Sequence, residues 1–148
     1  MEQRVNIQEK RPDVYKALYN LSTVLVKSTL SHPQKNLIKL RASQLNHCAF
    51  CLNMHTSEAL QAGESMQRIV LLSAWRETDL FTAEEKTLLS LTEEVTLIHT
   101  NGVSDQVYQE AMGYFGEEGV ADIILAAMLI NAWNRIAVST HLPVSVDK

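Results

Sequence analysis

Three side chains capable of thiol chemistry lie close together in the segment Asn46-His-Cys-Ala-Phe-Cys-Leu-Asn-Met-His55. On a helix that turns about 100° per residue, Cys51 lies about 60° from Cys48 around the axis and His55 about 20° from Cys48. All three share one face, and His55 is one turn beyond Cys51. An imidazole there can take the thiol proton, and only a thiolate attacks a peroxide or a disulfide. The spacing also lets the second sulfur close on an oxidised first, so the segment indicates a disulfide cycle.

Two other interpretations of this segment stay open on the residues alone. A Cys-x-x-Cys pair often forms half of a zinc site, and His55 would add a third ligand, but the chain has no second cysteine pair. The cysteines could also be inert members of a helical core, with His55 beside them. The redox interpretation is the one we follow, with no metal and no cofactor predicted.

Composition limits the class of protein. The chain has 148 residues, 46% hydrophobic and 20% charged, with a formal net charge of −4, which predicts one domain over residues 1–148. A mildly acidic chain without a basic stripe is not expected to bind nucleic acid. No apolar segment reaches the roughly 18 residues needed to cross a membrane, and the N-terminus does not resemble a secretion signal. We therefore expect a cytoplasmic protein without a membrane partner, where two neighbouring cysteines indicate redox or metal chemistry.

The elements that must position this segment are predicted to be helices throughout, because apolar residues recur at helical spacing and strict alternation is missing. Proline, capping residues and glycine mark their ends, including a capping box at Thr82–Glu85. The seven predicted helices run from Pro12 to Lys27, Ser31 to Leu45, Cys48 to Gly63, Glu64 or Ser65 through Trp75, Thr82 to Asn101, Ser104 to Gly116, and Glu118 to Val138. The apolar run Ile123–Ile130 in the last helix is wide enough to indicate burial on most sides, either centrally or against another subunit.

The stretch from Leu40 to Thr56, Leu-Arg-Ala-Ser-Gln-Leu-Asn-His-Cys-Ala-Phe-Cys-Leu-Asn-Met-His-Thr, resembles the core of the alkylhydroperoxidase D-like branch of the carboxymuconolactone decarboxylase superfamily. The resemblance extends through Ala62–Glu64, Leu72–Glu77 and Ile130–Arg135. It implies an all-α antiparallel helical bundle that assembles as a trimer or hexamer and reduces peroxides with thiols. It also implies that Cys51 is the peroxidatic cysteine, Cys48 the resolving cysteine and His55 the histidine of the proton relay.

This chain departs from the family pattern at two positions. The family relay includes a glutamate twelve residues before the first cysteine, where this chain has Asn36, and asparagine cannot accept a proton near neutral pH. Glu93 or Glu94 could replace that acid if the fifth predicted helix packs on the third. The best-known peroxidases have a histidine just before the second cysteine, whereas this chain has Phe50, whose apolar ring would raise a thiol pKa.

These residues predict a thiol-dependent hydroperoxide reductase in antioxidant defence, with a small hydroperoxide as substrate. A dithiol protein of the lipoyl or thioredoxin kind, or a small thiol, would recycle it. One alternative is a redox sensor or scaffold in which Asn36 has weakened catalysis. A lactone decarboxylase-type enzyme is less favoured, because decarboxylase relatives generally lack the cysteine pair.

Overall fold

The predicted all-helical class is confirmed by a computed structural model that describes residues 2–145. Within that range we find helices and no strand. The helices are α1 (Ile7–Lys10), α2 (Pro12–Leu25), α3 (His32–Leu45), α4 (Ala49–Gln61), α5 (Met66–Leu71), α6 (Ala83–Thr96), α7 (Ile98–Asn101) and α8 (Asp105–Thr140), with a 3₁₀ helix over Leu72–Glu77.

Most helix ends lie where the local residue types place them. Thr82 Oγ1 accepts a hydrogen bond from the Glu85 amide at 3.1 Å, and the Glu85 carboxylate accepts one from the Thr82 amide at 2.9 Å. This is the predicted capping box, which satisfies two amides that have no partner inside α6. Ser104 caps α8 through the Val107 amide, and Gly63 follows α4 with a φ of +91°, a conformation that favours glycine.

Other boundaries differ from the prediction. The helix expected to reach Trp75 is α-helical only to Leu71, because the chain tightens into the 3₁₀ helix that buries Trp75. The first predicted helix ends at Leu25 instead of Lys27. The helix expected to run from Thr82 to Asn101 is divided at Leu97 into α6 and α7, and α7 ends at Asn101 as predicted. The short α1 was not predicted. The last two predicted helices are joined as α8, with a kink at Gly116 where φ is +63°.

Helix α8 is the central element of the bundle and packs mainly on α6 and α3. Its buried residues include Ile123, Ala127 and Ile130, which share a core with Leu88 of α6 and Ile38 of α3. By length and composition alone α8 could cross a membrane, but its apolar side forms the centre of this bundle. The antiparallel contact between α3 and α4 then sets the cysteine segment at one end of that core.

Candidate active site

Cys48 lies in the turn between α3 and α4, immediately before the first residue of α4. The turn reverses the chain at His47, whose φ is +53°, and the Cys48 amide donates to the Ser43 carbonyl at 3.0 Å. Cys48 is extended (φ −87°, ψ 91°), and its Sγ accepts a hydrogen bond from the Cys51 amide at 3.3 Å. Cys48 is therefore the N-cap of α4 and not its first helical residue, with sulfur in the place usually taken by a serine or aspartate oxygen.

Cys48 and Cys51 are joined by a disulfide, with their Cα atoms 5.3 Å apart. Both are almost fully buried, at 1% and 2% exposure. The predicted pairing of these two residues is therefore present in the structure. The same N-cap hydrogen bond would favour a thiolate at Cys48 once the disulfide is reduced, since a charged acceptor forms a stronger bond.

His55 lies one turn beyond Cys51 on α4 and is also buried, at 6% exposure. Its Nδ1 is 2.8 Å from Oε2 of Glu58, and Lys39 Nζ is 3.4 Å from the same oxygen. The hydrogen bond to His55 is the largest cause that lowers the pKa of Glu58, to about 2. Glu58 is therefore ionised at neutral pH. It fixes the orientation of the His55 ring through Nδ1, and Nε2 is the ring nitrogen that Glu58 does not engage.

The carboxylate beside His55 is Glu58 and not Glu93 or Glu94, which the sequence had suggested as replacements for the family acid. Glu93 accepts hydrogen bonds from Arg41 at 2.6 Å, Trp75 at 2.7 Å and Arg76 at 2.7 Å. Glu94 accepts from the amide and hydroxyl of Ser104. Both are therefore committed to other partners. Glu58 could have been found from its spacing, because residues three apart on a helix are neighbours.

Asn36 is buried on α3, at 2% exposure. Its Nδ2 is 3.3 Å from Nδ1 of His32, while its Oδ1 has no hydrogen-bond partner. A surface groove of about 420 Å³ lies nearby, lined by His32, Lys39, Glu58, Gln61 and Ala62. Glu58 thus belongs both to this groove and to the pair with His55.

The histidine–carboxylate pair and the disulfide on one helix define this chain as a helical protein with a redox-capable dithiol. The chain belongs to the carboxymuconolactone decarboxylase family, whose model matches residues 12–94, and to its alkylhydroperoxidase D-like branch.

The chain is similar to known proteins over nearly its whole length. The chain is 40% identical over 139 residues to the uncharacterised protein YdfG of Bacillus subtilis (strain 168), covering 94% of this chain and 95% of that protein. It is 38% identical, with a TM-score of 0.95, to a solved protein of unknown function from Agrobacterium tumefaciens that has been suggested to be the antioxidant defence protein AhpD; 99% and 100% of the two chains are covered. An uncharacterised peroxidase-related protein from Silicibacter sp. TM1040 shares the fold, with 20% identity, a TM-score of 0.80 and 95% and 81% coverage.

Proposed function

We propose that this protein is a thiol-dependent hydroperoxide reductase that protects the cytoplasm from small hydroperoxides. The observation that carries the proposal is the arrangement on α4, where Cys51, His55 and Glu58 follow one another along the same helix and Cys48 caps its start. This supplies a nucleophile, a base and a carboxylate that orients the base. The AhpD suggestion made for the Agrobacterium relative supports the same activity.

The oxidative half of the cycle begins when His55 takes the proton of the Cys51 thiol. The Cys51 thiolate attacks the terminal oxygen of the hydroperoxide and breaks its O–O bond. The alkoxide that leaves takes the proton held by His55, which gives an alcohol and a sulfenic acid on Cys51. The Cys48 thiolate then attacks the Cys51 sulfur, releases hydroxide, which is protonated to water, and forms the disulfide. The negative charge of Glu58 stabilises the imidazolium that His55 becomes in this step.

The reductive half returns both cysteines to thiols. A dithiol reductant, either a protein or a small molecule, attacks the disulfide, passes through a mixed disulfide and leaves as its own disulfide. Two electrons and two protons move from the reductant to Cys48 and Cys51. The complete cycle therefore converts one hydroperoxide and one dithiol into an alcohol, water and a disulfide.

Stopped-flow oxidation of the reduced protein by tert-butyl hydroperoxide tests the proposal, with thiol loss followed by alkylation and intact mass. Two thiols should be lost per peroxide. Cys51→Ser should abolish the reaction, and His55→Ala should slow it by about a hundredfold to ten-thousandfold. Glu58→Ala should slow it less than His55→Ala does, because the ring loses its orienting partner but the base remains. Asn53→Ala, on the exposed side of α4, is the control. Unchanged rates for both Cys51→Ser and His55→Ala would exclude the mechanism.

Replacing Asn36 with glutamate, the residue of the family relay at this position, is a second test of the relay. Because Glu58 already holds His55, we expect Asn36→Glu to change the oxidation rate by less than about threefold, well below the range typical of general-base catalysis. The same stopped-flow assay measures it. A rise of a hundredfold would instead show that the relay is incomplete without an acid at position 36.

A redox sensor is the second candidate, and the buried Asn36 is the observation that favours it. Its side chain cannot exchange a proton in the place where the family relay has a glutamate. A sensor would form the same disulfide at a slow rate without efficient turnover. Rapid loss of two thiols with one equivalent of hydroperoxide supports the reductase, whereas slow loss supports the sensor.

A further inference from the structure

Apolar side chains from the start of α4 and from the residues that follow α8 pack against the two buried cysteines. Cys48, Cys51 and Ala137 form a buried cluster separate from the main core, and Phe50 and Leu142 pack against it. We call Phe50 and Leu142 the disulfide cover. Both cover residues are partly exposed, whereas the cysteines are almost fully buried. A molecule that reaches a sulfur must displace a side chain packed on the cysteines, and Phe50 and Leu142 are partly exposed apolar side chains of this kind.

Leu142 is held in the cover by the C-terminal cap of α8. His141 follows the last helical residue in a left-handed conformation (φ 54°, ψ 51°), and its amide donates to the Val138 carbonyl at 3.4 Å. The Leu142 amide donates to the Ala137 carbonyl at 3.0 Å. These two hydrogen bonds form a Schellman motif, in which an apolar contact between the corresponding residues, here Leu142 and Ala137, is usual. The left-handed conformation is sterically unfavourable for histidine, because of its Cβ atom, and not for glycine. This cap is therefore less stable than the same cap with glycine at position 141.

We propose that Phe50 and Leu142 restrict exchange at the disulfide to small molecules that carry no charged group besides the attacking thiolate. A bulky or charged thiol would have to bring its charge against these side chains and lose hydration without a compensating partner. The same selection would favour small alkyl hydroperoxides in the oxidative half, which rests on the proposed function. Selection among thiols does not rest on it, because reduction of the disulfide requires no peroxide.

The reductive step measures this selection directly. A dithiothreitol thiolate attacks one protein sulfur, the S–S bond breaks, and the other cysteine leaves as a thiolate that takes a proton. The second dithiothreitol thiol then displaces the first cysteine and closes a cyclic disulfide. With glutathione, a second molecule takes that role and glutathione disulfide is released. In both cases two electrons pass from the reagent to the protein.

The experiment compares the reduction rates of the oxidised full chain with dithiothreitol and with glutathione, folded and unfolded in urea. The folded chain should be reduced more slowly than the unfolded chain, by at least about tenfold with dithiothreitol and at least about a hundredfold with glutathione, because local structure controls access to the disulfide. The unfolded chain corrects for the intrinsic reactivity of each reagent. Equal slowing of both reagents would overturn the proposal, since it indicates wider unfolding, and so would no slowing.

Variants assign the effect to the cover. Leu142→Ala should raise the folded-state glutathione rate by at least about tenfold, whereas Val144→Ala, exposed in the same segment, should match the parent. His141→Gly should lower both rates by about fivefold, because it strengthens the cap without changing the cover. If circular dichroism shows that Leu142→Ala is unfolded, Phe50→Ala replaces it. Equal rates for Leu142→Ala and Val144→Ala refute the proposal.

The peroxide assay keeps this proposal distinct from the proposed function. Selection between the two thiols without peroxide turnover would refute the reductase and leave the cover intact. Peroxide turnover without selection between the two thiols would refute only the proposal that the disulfide cover selects among reagents.

Discussion

The hydrogen bond between His55 and Glu58 joins a buried ring to a carboxylate that reaches water. The His55 side chain is 8% exposed and that of Glu58 is 43% exposed. At neutral pH the pair therefore places a negative charge beside the imidazole without burying that charge completely, which would be costly. Lys39 approaches the same carboxylate oxygen and partly balances it. The pair thus connects the disulfide end of α4 with the groove between α3 and α4.

The low pKa of Glu58 predicts a specific pH dependence of stability. Its value in the folded chain is about 2, against an ordinary 4.5, so ionised Glu58 stabilises the fold above about pH 4.5. That contribution is lost as the pH falls toward 2. We expect it to be under about 1 kcal/mol, since water screens a half-exposed carboxylate.

Urea unfolding of the parent and of Glu58→Gln between pH 7 and pH 2 measures this contribution. The two free energies of unfolding should differ at neutral pH and converge on acidification. Glu77→Gln, at an exposed position, is the control and should follow the parent throughout. A difference between the parent and Glu58→Gln that persists at pH 2 would contradict the assignment.

The site was predictable where its residues are close in sequence. Cys48, Cys51 and His55 lie within eight residues, so helical spacing alone predicts that Cys51 and His55 share one side of α4, with Cys48 immediately before it. Glu58 lies three residues further and obeys the same rule, whereas the family pattern places the relay acid on a different helix, at the position of Asn36. The partners of Glu93 come from α3 and the 3₁₀ helix, and no local spacing reveals such long-range contacts.

At the scale of the helices, predictions succeeded where one residue type dictates the backbone. Thr82, Ser104 and Gly63 each stabilise a helix end by their own chemistry, and all three ends are confirmed. No proline or glycine marks the change to a 3₁₀ helix at Leu72. The change accompanies the burial of Trp75, which depends on tertiary contacts that a local sequence pattern does not show. Cys48 as an N-cap was likewise missed, since cysteine is not among the residues that usually cap helices.

A buried amide network fixes the turn that carries Cys48. Asn46, which ends α3, donates to Asn131 and Asn134 of α8, both at 2.9 Å. Asn134 in turn donates to Ser43 at 3.0 Å, and Asn131 donates to Thr96 at 3.0 Å. The network joins the ends of α3 and α6 to the C-terminal part of α8. It therefore determines where the cysteine turn lies relative to the cover.

Removing the centre of this network should be costly. Asn134 is fully buried, and Asn134→Ala would leave the Ser43 hydroxyl and the Asn46 amide with a bond each unmade. We expect the free energy of unfolding to fall by about 2–3 kcal/mol. Urea denaturation of the oxidised protein measures the change, with exposed Asn53→Ala as the control. A loss no larger than the control would show that the network adds nothing to stability.

For the whole molecule, the outer side of α8 raises the question of assembly. The inward residues of the run Ile123–Ile130 fill the core, which confirms the central placement that the sequence allowed. Ala121, Leu125 and Met128 recur at helical spacing on the exposed side, with Leu125 and Met128 at 40% and 46% exposure. One side of α8 therefore packs in the core, and the other side exposes an apolar stripe formed by Ala121, Leu125 and Met128.

We predict that this stripe lies in a contact between copies of the chain, as a trimer or hexamer would require. Burying Leu125 and Met128 against a second copy would remove apolar surface from water, and symmetric assembly is the common way in which such a stripe is covered. Light scattering at micromolar concentration should give a mass of at least three chains, each of 16.6 kDa. The double variant Leu125→Glu with Met128→Glu should shift that mass toward one chain, because each interface would then hold like charges. Val70→Glu, at a position of 62% exposure on α5, should leave it unchanged. A parent that scatters as a single chain contradicts the assembly, and a double variant that keeps the parent mass moves the contact to another face.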